Sequence, residues 1–250
     1  MITEYHRPKT LEETIHLLSK ANSRPLGGGT QLNRPGDKQF VVVDLQALGL
    51  DKIHKRGEKL VIGATATLQA LLDSEYIPST LKEAIRLETT FNLRQVATAA
   101  GTLVACDGRS PFSTAMLALD TKCTVFSEKN TLVSLGDMLP LRSETLRGKL
   151  VTSIEIPLNA KFAFETVART SKDKPIVCAA LSQWPSFRTR LALGGWGKLP
   201  LLAMDGNDPG GVEAAARNTY AEAGDEWASA EYRSEIAGVL AKRCLESVLT

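Results

Sequence analysis

Three apolar segments follow one another closely in the last third of the chain: FAFETVAR from Phe162, PIVCAALSQW from Pro175 and TRLALGGWG from Thr189. Alternating or continuous apolar runs of this kind predict three strands of an antiparallel sheet. Helical patterns come next. GGVEAAARNTYAEA reads as a helix from Val212, and SAEYRSEIAGVLAKRCLESVL as a long terminal helix with Tyr232, Ile236, Val239, Leu240 and Cys244 on one stripe. Strands followed by helices define a compact α+β unit, placed here at residues 159–250. The intervening LLAMDGNDPGG reads as a flexible loop.

Upstream the pattern is mixed. KTLEETIHLLSK carries a capping box, Thr10 and Glu13, with Leu11, Ile15 and Leu18 on one face of a short helix. QFVVVDLQAL is a β-branched run and predicts a buried strand ending at Asp44. GEKLVIGATATLQALLDS reads as turn, strand and helix, the helix starting near Thr65 or Thr67. A further helix follows in STLKEAIRLE, capped by Ser79 or Thr80. NLRQVATAAGTLVACDGRSPF is small and turn-rich, and FSTAMLALD is an apolar helix. KCTVFSEKNTLVSLGDML reads as a hairpin turning at Lys129–Asn130, and GKLVTSIEIPL as a strand closed by Pro157.

A chain of 250 residues is long enough for one large domain or two modest ones. Its net charge of +2 gives no reason to expect nucleic acid or an anionic membrane as partner. No apolar run reaches bilayer length, and MITEYHRPKT lacks the charged-then-apolar order of a secretion signal, so a cytoplasmic location is expected. Cys106, Cys123, Cys178 and Cys244 are scattered without a C-x-x-C pair, which predicts buried free thiols and no metal site in this chain. His6, His16 and His54 form no set with a serine or with acids, so no catalytic side chain is assigned.

Two small-residue segments remain. The first is RPLGGGTQLNRPG, Arg24 to Gly36; the second runs from Thr98 to Ser110. Glycine lets a ligand approach the backbone, and a run of exposed N–H groups grips anions. Two such segments folding together would hold a diphosphate without lysine or metal. They are read equally well as two ordinary turns.

The order of motifs is similar to that of the FAD-binding medium subunits of molybdenum hydroxylases, the carbon monoxide dehydrogenase and xanthine dehydrogenase type. YHRPKTLEETIHLL, PLGGGTQL, VVDLQAL, LVIGATATLQALL and NLRQVATAAGT carry the resemblance, together with the closing SAEYRSEIAGVLAKRCLE. PLGGGTQL corresponds to the family's A-G-G-T-x-L loop, and NLRQVATAAGT stands where the family has I-R-N-x-A-T-x-G-G-N.

The resemblance implies an α+β protein. A bipartite FAD-binding domain at 1–158, with α/β subdomains at about 1–55 and 56–158, precedes a smaller C-terminal domain with a three-stranded antiparallel sheet and helices. It implies FAD as cofactor, held by Leu26, Gly27, Gly28, Gly29, Thr30, Gln31 and Leu32 on one side. Thr98, Ala100, Gly101 and Thr102 would hold it on the other, with Asp107 as a candidate for hydroxyl contacts near the ribityl chain. Asp107 reads equally well as a turn cap at Gly108. The implied partners are a large molybdenum-cofactor subunit and a small [2Fe–2S] subunit, in a complex that is itself a possible homo-oligomer. Electrons would pass from the iron–sulfur subunit through this chain to an external acceptor. Four positions depart from the family pattern: Ala100 for glycine, Thr102 for asparagine, Pro111 for an aspartate and Glu165 for a lysine. These departures keep open a second reading, a flavin-free assembly subunit of the same kind of complex.

Overall fold

The computed structural model describes residues 1–32, 39–171 and 173–250. The end of the first glycine-bearing stretch therefore lies outside the described residues. In chain order the first half holds β1 (Ile2–His6), α1 (Leu11–Leu18), β2 (Ser23–Leu26), β3 (Phe40–Asp44), β4 (Ile53–Arg56) and β5 (Lys59–Gly63). The helices α2 (Leu68–Asp73), α3 (Ser79–Glu88), α4 (Phe91–Arg94), α5 (Ala99–Ala105) and α6 (Pro111–Ala118) follow. The middle contains β6 (Lys122–Phe126), β7 (Asn130–Ser134), α7 (Leu135–Met138), α8 (Arg142–Thr145) and β8 (Leu150–Pro157). The last part comprises β9 (Lys161–Val167), β10 (Val177–Gln183), β11 (Thr189–Gly194), β12 (Leu201–Gly206), α9 (Val212–Thr219) and α10 (Ala230–Leu249). No helix among the described residues is long and apolar enough to cross a membrane.

Packing groups these elements into two compact units. The first comprises Met1–Ser74, Phe91–Ala105 and Lys122–Glu155; the second comprises Glu75–Thr90, Cys106–Thr121 and Ile156–Thr250.

In the first unit, β3 is the middle strand of a parallel sheet of order β1-β3-β2. That central place is why FVVV, ahead of Asp44, is continuously apolar: a parallel strand covered on both faces has no solvent side to mark. Leu17 and Leu18 of α1 pack with Val43 and Leu45 against Leu150. The α1 cap forms as expected, Thr10 Oγ1 accepting from Glu13 N at 3.2 Å, while the Glu13 carboxylate reaches back to Lys9 N at 3.1 Å. A second sheet has the order β4-β5-β8-β6-β7. On it the buried Glu155 of β8 is held by Arg56 at 2.7 Å and Lys59 at 3.1 Å. β1 and β4 have no clear apolar alternation to announce them in the sequence; both are exposed edge strands.

The second unit is built on an antiparallel sheet of order β12-β11-β10-β9. The three expected strands are joined by a fourth, because LLAMDG, whose composition suggests part of a loop, pairs as β12 along β11 with a bulge at Leu191/Ala192. β10 is buried along its whole length. Val177, Ala179 and Leu181 face a core with Val212 and Ala216 from α9, Tyr220 at its C-terminal cap, and Leu240, Cys244 and Val248 from α10. Cys178, on the other face, meets Thr114 of the wholly buried α6 at 3.7 Å. Helices therefore cover both faces of the strand.

The stripe expected on α10 holds at Leu240 and Cys244, with Ile236 partly buried against the same core, but its other two members do not share that face. The buried residues are Arg233, Ala237, Gly238, Leu240, Ala241, Cys244 and Val248, whereas Tyr232 and Val239 are exposed. Arg233 anchors the buried face: fully enclosed, it donates to Ile176 O at 3.1 Å, Ala223 O at 2.8 Å and Asp225 Oδ1 at 2.9 Å. At the far end of β11 and β12, Arg188 binds Asp205 through two bonds of 2.8 Å and Asp120 through one of 3.0 Å. Arg190 shares Asp205 and also reaches Leu117 O at the end of α6. All four cysteines are buried free thiols.

Candidate functional site

The first glycine segment leaves the parallel sheet at the end of β2. Leu26 still belongs to the ladder, its carbonyl accepting from Leu45 N at 3.1 Å. From Gly27 the chain departs, and among the described residues the N–H groups of Gly27, Gly28, Gly29 and Thr30 have no protein acceptor. Unpaired backbone donors at the end of a strand are what an anion needs.

The glycines answer to different constraints. At Gly28 a Cβ would lie 1.7 Å from the Val96 carbonyl oxygen, so backbone is packed directly on backbone. At Gly27 it would lie 2.8 Å from Thr98 Oγ1. Gly29 is at φ +73°, a conformation that costs any residue with a side chain, and its carbonyl accepts from Leu32 N at 3.1 Å.

The second segment meets the first at these points, but its character differs from the expected turn-rich loop. NLRQVATAAGT folds as α4, a short link and α5. Thr98 caps α5, its hydroxyl accepting from Gly101 N at 3.2 Å. Ala99 N and Ala100 N donate to Ala66 O and Ala64 O, and Thr102 N donates to Thr98 O. The expectation that this segment offers a row of free N–H groups is therefore corrected: helix formation uses those donors. It supplies a wall, and the first segment supplies the donors. Ala100 has no positive φ, so alanine in place of glycine brings no backbone strain there. Thr102, expected at the site, does not line the cavity: its hydroxyl bonds back to Thr98 O at 2.9 Å.

Both segments line one cavity of ≈ 720 Å³ contained in the first unit. Gly27 to Leu32, Thr98, Ala100 and Gly101 contribute to its wall. Sequence reasoning misses the opposite side, made by the turn after α1 (Ser19 to Ser23) and by the segment from Arg142 to Val151. No local motif marks either stretch; only the pairing of distant strands brings them together. Ser23 Oγ, on that side, is buried without a hydrogen-bond partner among the described residues. An orphaned hydroxyl, four free backbone donors and a cradle that a single Cβ would fill together fit a phosphate-bearing ligand.

Asp107 belongs to the second unit. Its Oδ1 accepts from Arg109 N at 2.9 Å and its Oδ2 pairs with Lys174 at 2.8 Å. Partial burial pushes its carboxyl up, but the bond and charge of Lys174, with the Arg109 N–H, outweigh that and hold it below the usual carboxylate range. Nearby, Glu88 accepts from Ser110 Oγ at 2.7 Å and from Phe112 N at 3.0 Å, at the start of α6. Burial pushes its pKa up to about 7 despite those bonds. Pro111 occupies the first position of α6, where proline's missing N–H costs nothing. Glu165 lies in β9 opposite Ala179. Arg169 stacks on the Trp227 ring at 5.1 Å, with Arg109 over the same ring at 4.8 Å. Among the described residues no group of three or more His, Cys, Asp or Glu is placed to hold a metal.

Residues 1–159 match the family model described as FAD binding domain in molybdopterin dehydrogenase. The chain is 28% identical over 248 residues to the uncharacterized protein YgfM of Escherichia coli K12, covering 96% of this chain and 94% of that protein. It is 27% identical to the carbon monoxide dehydrogenase medium chain of Afipia carboxidovorans, covering 97% and 95%. Among solved structures, a chain of reconstituted CO dehydrogenase from Oligotropha carboxidovorans superposes with a TM-score of 0.82 at 26% identity, covering 98% and 96%.

Proposed function

The chain belongs to the family of FAD-binding domains in molybdopterin dehydrogenases, and on that premise we propose that it is the electron-transferring flavoprotein subunit of its complex. In this reading a [2Fe–2S] subunit delivers electrons and an external acceptor removes them, while a large molybdenum subunit handles the substrate. FAD supplies the redox chemistry when bound. The chain's own task is to bind and orient it. Gly27 to Thr30 would donate backbone N–H groups to the pyrophosphate, and Thr98, Ala100 and Gly101 would close the other side. Ser23 Oγ would donate to the nucleotide. No side chain is assigned a proton-transfer role. Asp107 is kept as a candidate ligand to the ribityl hydroxyls, and the match ending at residue 159 supports a domain division near Asn159.

One observation carries the reading: four backbone donors without protein acceptors face a helix whose own donors are all used. Its test is the visible spectrum of the purified full chain, with flavin released and quantified against protein. A flavin spectrum at near-equal stoichiometry, bleached on adding a reduced iron–sulfur partner, is the expected result. A chain that stays colourless after incubation with FAD overturns it.

A further inference from the structure

The side of the cavity without a sequence motif carries a charge imbalance. Lys20, Arg142, Arg147 and Lys149 all line it, and no aspartate or glutamate does among the described residues. Composition does not account for this, because the whole chain balances 30 basic against 28 acidic residues. Arg142 is engaged within the chain. Lys20, Arg147 and Lys149 are exposed and form no ion pair with another described residue. Local structure fixes their place. Lys20 follows the C-terminus of α1, its N–H bonded to Leu17 O at 3.3 Å. Arg147 and Lys149 flank Gly148, at φ +64°, in a turn closed by Lys149 N to Leu146 O at 3.1 Å.

Exposed cations without partners add little to stability, and here all three line the wall of one cavity. We propose that Lys20, Arg147 and Lys149 form an electrostatic funnel that captures the anionic dinucleotide as it enters the cavity. They set the rate of cofactor loading; the contacts that hold the loaded cofactor lie deeper, at the glycine cradle. The inference rests on the FAD reading and adds to it the ligand feature that is sensed first, the diphosphate charge.

The effect has a size and a salt dependence. Three cations about 10 Å from a diphosphate in water-like dielectric raise its local concentration about 20-fold where the Debye length is about 30 Å, and about 3-fold where it is about 8 Å. Loading should therefore slow about sevenfold between about 10 mM and 150 mM salt. Dissociation should barely change.

The experiment is stopped-flow quenching of FAD fluorescence by the full chain stripped of flavin, at both salt concentrations. Wild type is compared with the triple variant Lys20→Gln, Arg147→Gln and Lys149→Gln. All three positions are exposed, and thermal unfolding of the two proteins is recorded alongside. The expected variant loads about 20-fold more slowly at low salt, loses most of its salt dependence and releases FAD within about twofold of the wild-type rate. Wild-type loading that ignores salt, or a variant altered only in release, overturns the funnel and leaves the FAD reading standing. A wild-type chain that takes up no FAD at either salt overturns both.

Discussion

Gly28→Ala tests the cradle more sharply than any other single change. The added Cβ would sit 1.7 Å from Val96 O, about half of an ordinary contact. Because both atoms are fixed to the main chain, no rotamer change relieves the overlap. The glycine segment must move away from the α4–α5 link by an ångström or more. Such overpacking costs about 1–3 kcal/mol of stability. The same movement takes the free N–H groups out of line with a bound phosphate, and hydrogen bonds weaken steeply with misalignment. Losing two charge-assisted bonds at about 1.5–3 kcal/mol each lowers FAD affinity at least about 100-fold.

Stability and affinity are separated by a matched control. Gly57, in the β4–β5 turn at φ +60°, has nothing within 4 Å of the place a Cβ would take, and it does not line the cavity. Gly57→Ala costs about 1–2 kcal/mol through left-handed backbone strain alone. Urea melts and FAD titrations of the two variants should therefore show similar losses of stability but a large affinity loss only for Gly28→Ala. Flavin affinity within about threefold of wild type in Gly28→Ala would refute the cradle and return the three glycines to the status of a turn.

Three further outcomes follow from the second unit. Asp205→Asn leaves Arg188 and the buried Arg190 short of a counter-charge and should cost about 2–4 kcal/mol in urea unfolding. The hydrogen bonds from Arg188 hold the Asp205 carboxyl below its ordinary range, so the native stability it contributes is present above the unfolded-state pKa and is lost as pH falls through the folded one. Acid unfolding of wild type should accordingly be steeper than that of Asp205→Asn below about pH 4. Glu88 has the opposite sign: burial raises its pKa to about 7, so the unfolded chain releases the proton first and stability falls as pH rises from about 4.5 to about 7. Glu88→Gln should flatten that slope while keeping the bonds at the start of α6. Arg233→Lys cannot serve Ile176 O, Ala223 O and Asp225 Oδ1 together, and should lower the melting temperature by several degrees in calorimetry.

Much of the fold is legible because burial leaves a periodic trace. The capping residues of α1 and α2 and the hairpin at β6–β7 stand where Thr10, Thr67 and the polar turn place them, whereas α3 starts after Pro78 with no side-chain cap, and neither Ser79 nor Thr80 precedes it as expected. The misses share a cause: tertiary partners override local signals. The LLAMDG strand contains glycine and aspartate and is only partly buried, so its pairing to β11 decides what its composition does not. The face of α10 is hard to read because an arginine lies on it, and a buried arginine looks like a surface residue until its three acceptors are in place. At the site, the glycine run is readable as backbone meant for close approach. The second segment is not, because ATAAGT is equally at home in a turn or at a helix start, and Thr98 resolves that only by meeting Gly101 N. The basic mouth carries no motif at all, since its three cations come from turns more than a hundred residues apart.

Thr98 shows why the two segments must be considered as one device. A Cβ at Gly27 would lie 2.8 Å from its hydroxyl oxygen and a Cβ at Gly101 would lie 2.6 Å from the same atom. One hydroxyl is thus clasped between two glycines from segments far apart in sequence, while it caps α5. The cap takes Gly101 N while Ala66 O and Ala64 O take the two donors before it, and the clasp sets the glycine segment against that helix start. The free N–H groups of Gly27 to Thr30 are consequently positioned by a long-range contact, and their geometry is set before any ligand arrives. Donors held this way cost little further ordering on binding, which favours tight retention of a small anion-bearing group without a charged side chain beside it. Charge then has a separate use, at the entrance, where attraction over distance matters more than a fixed bond.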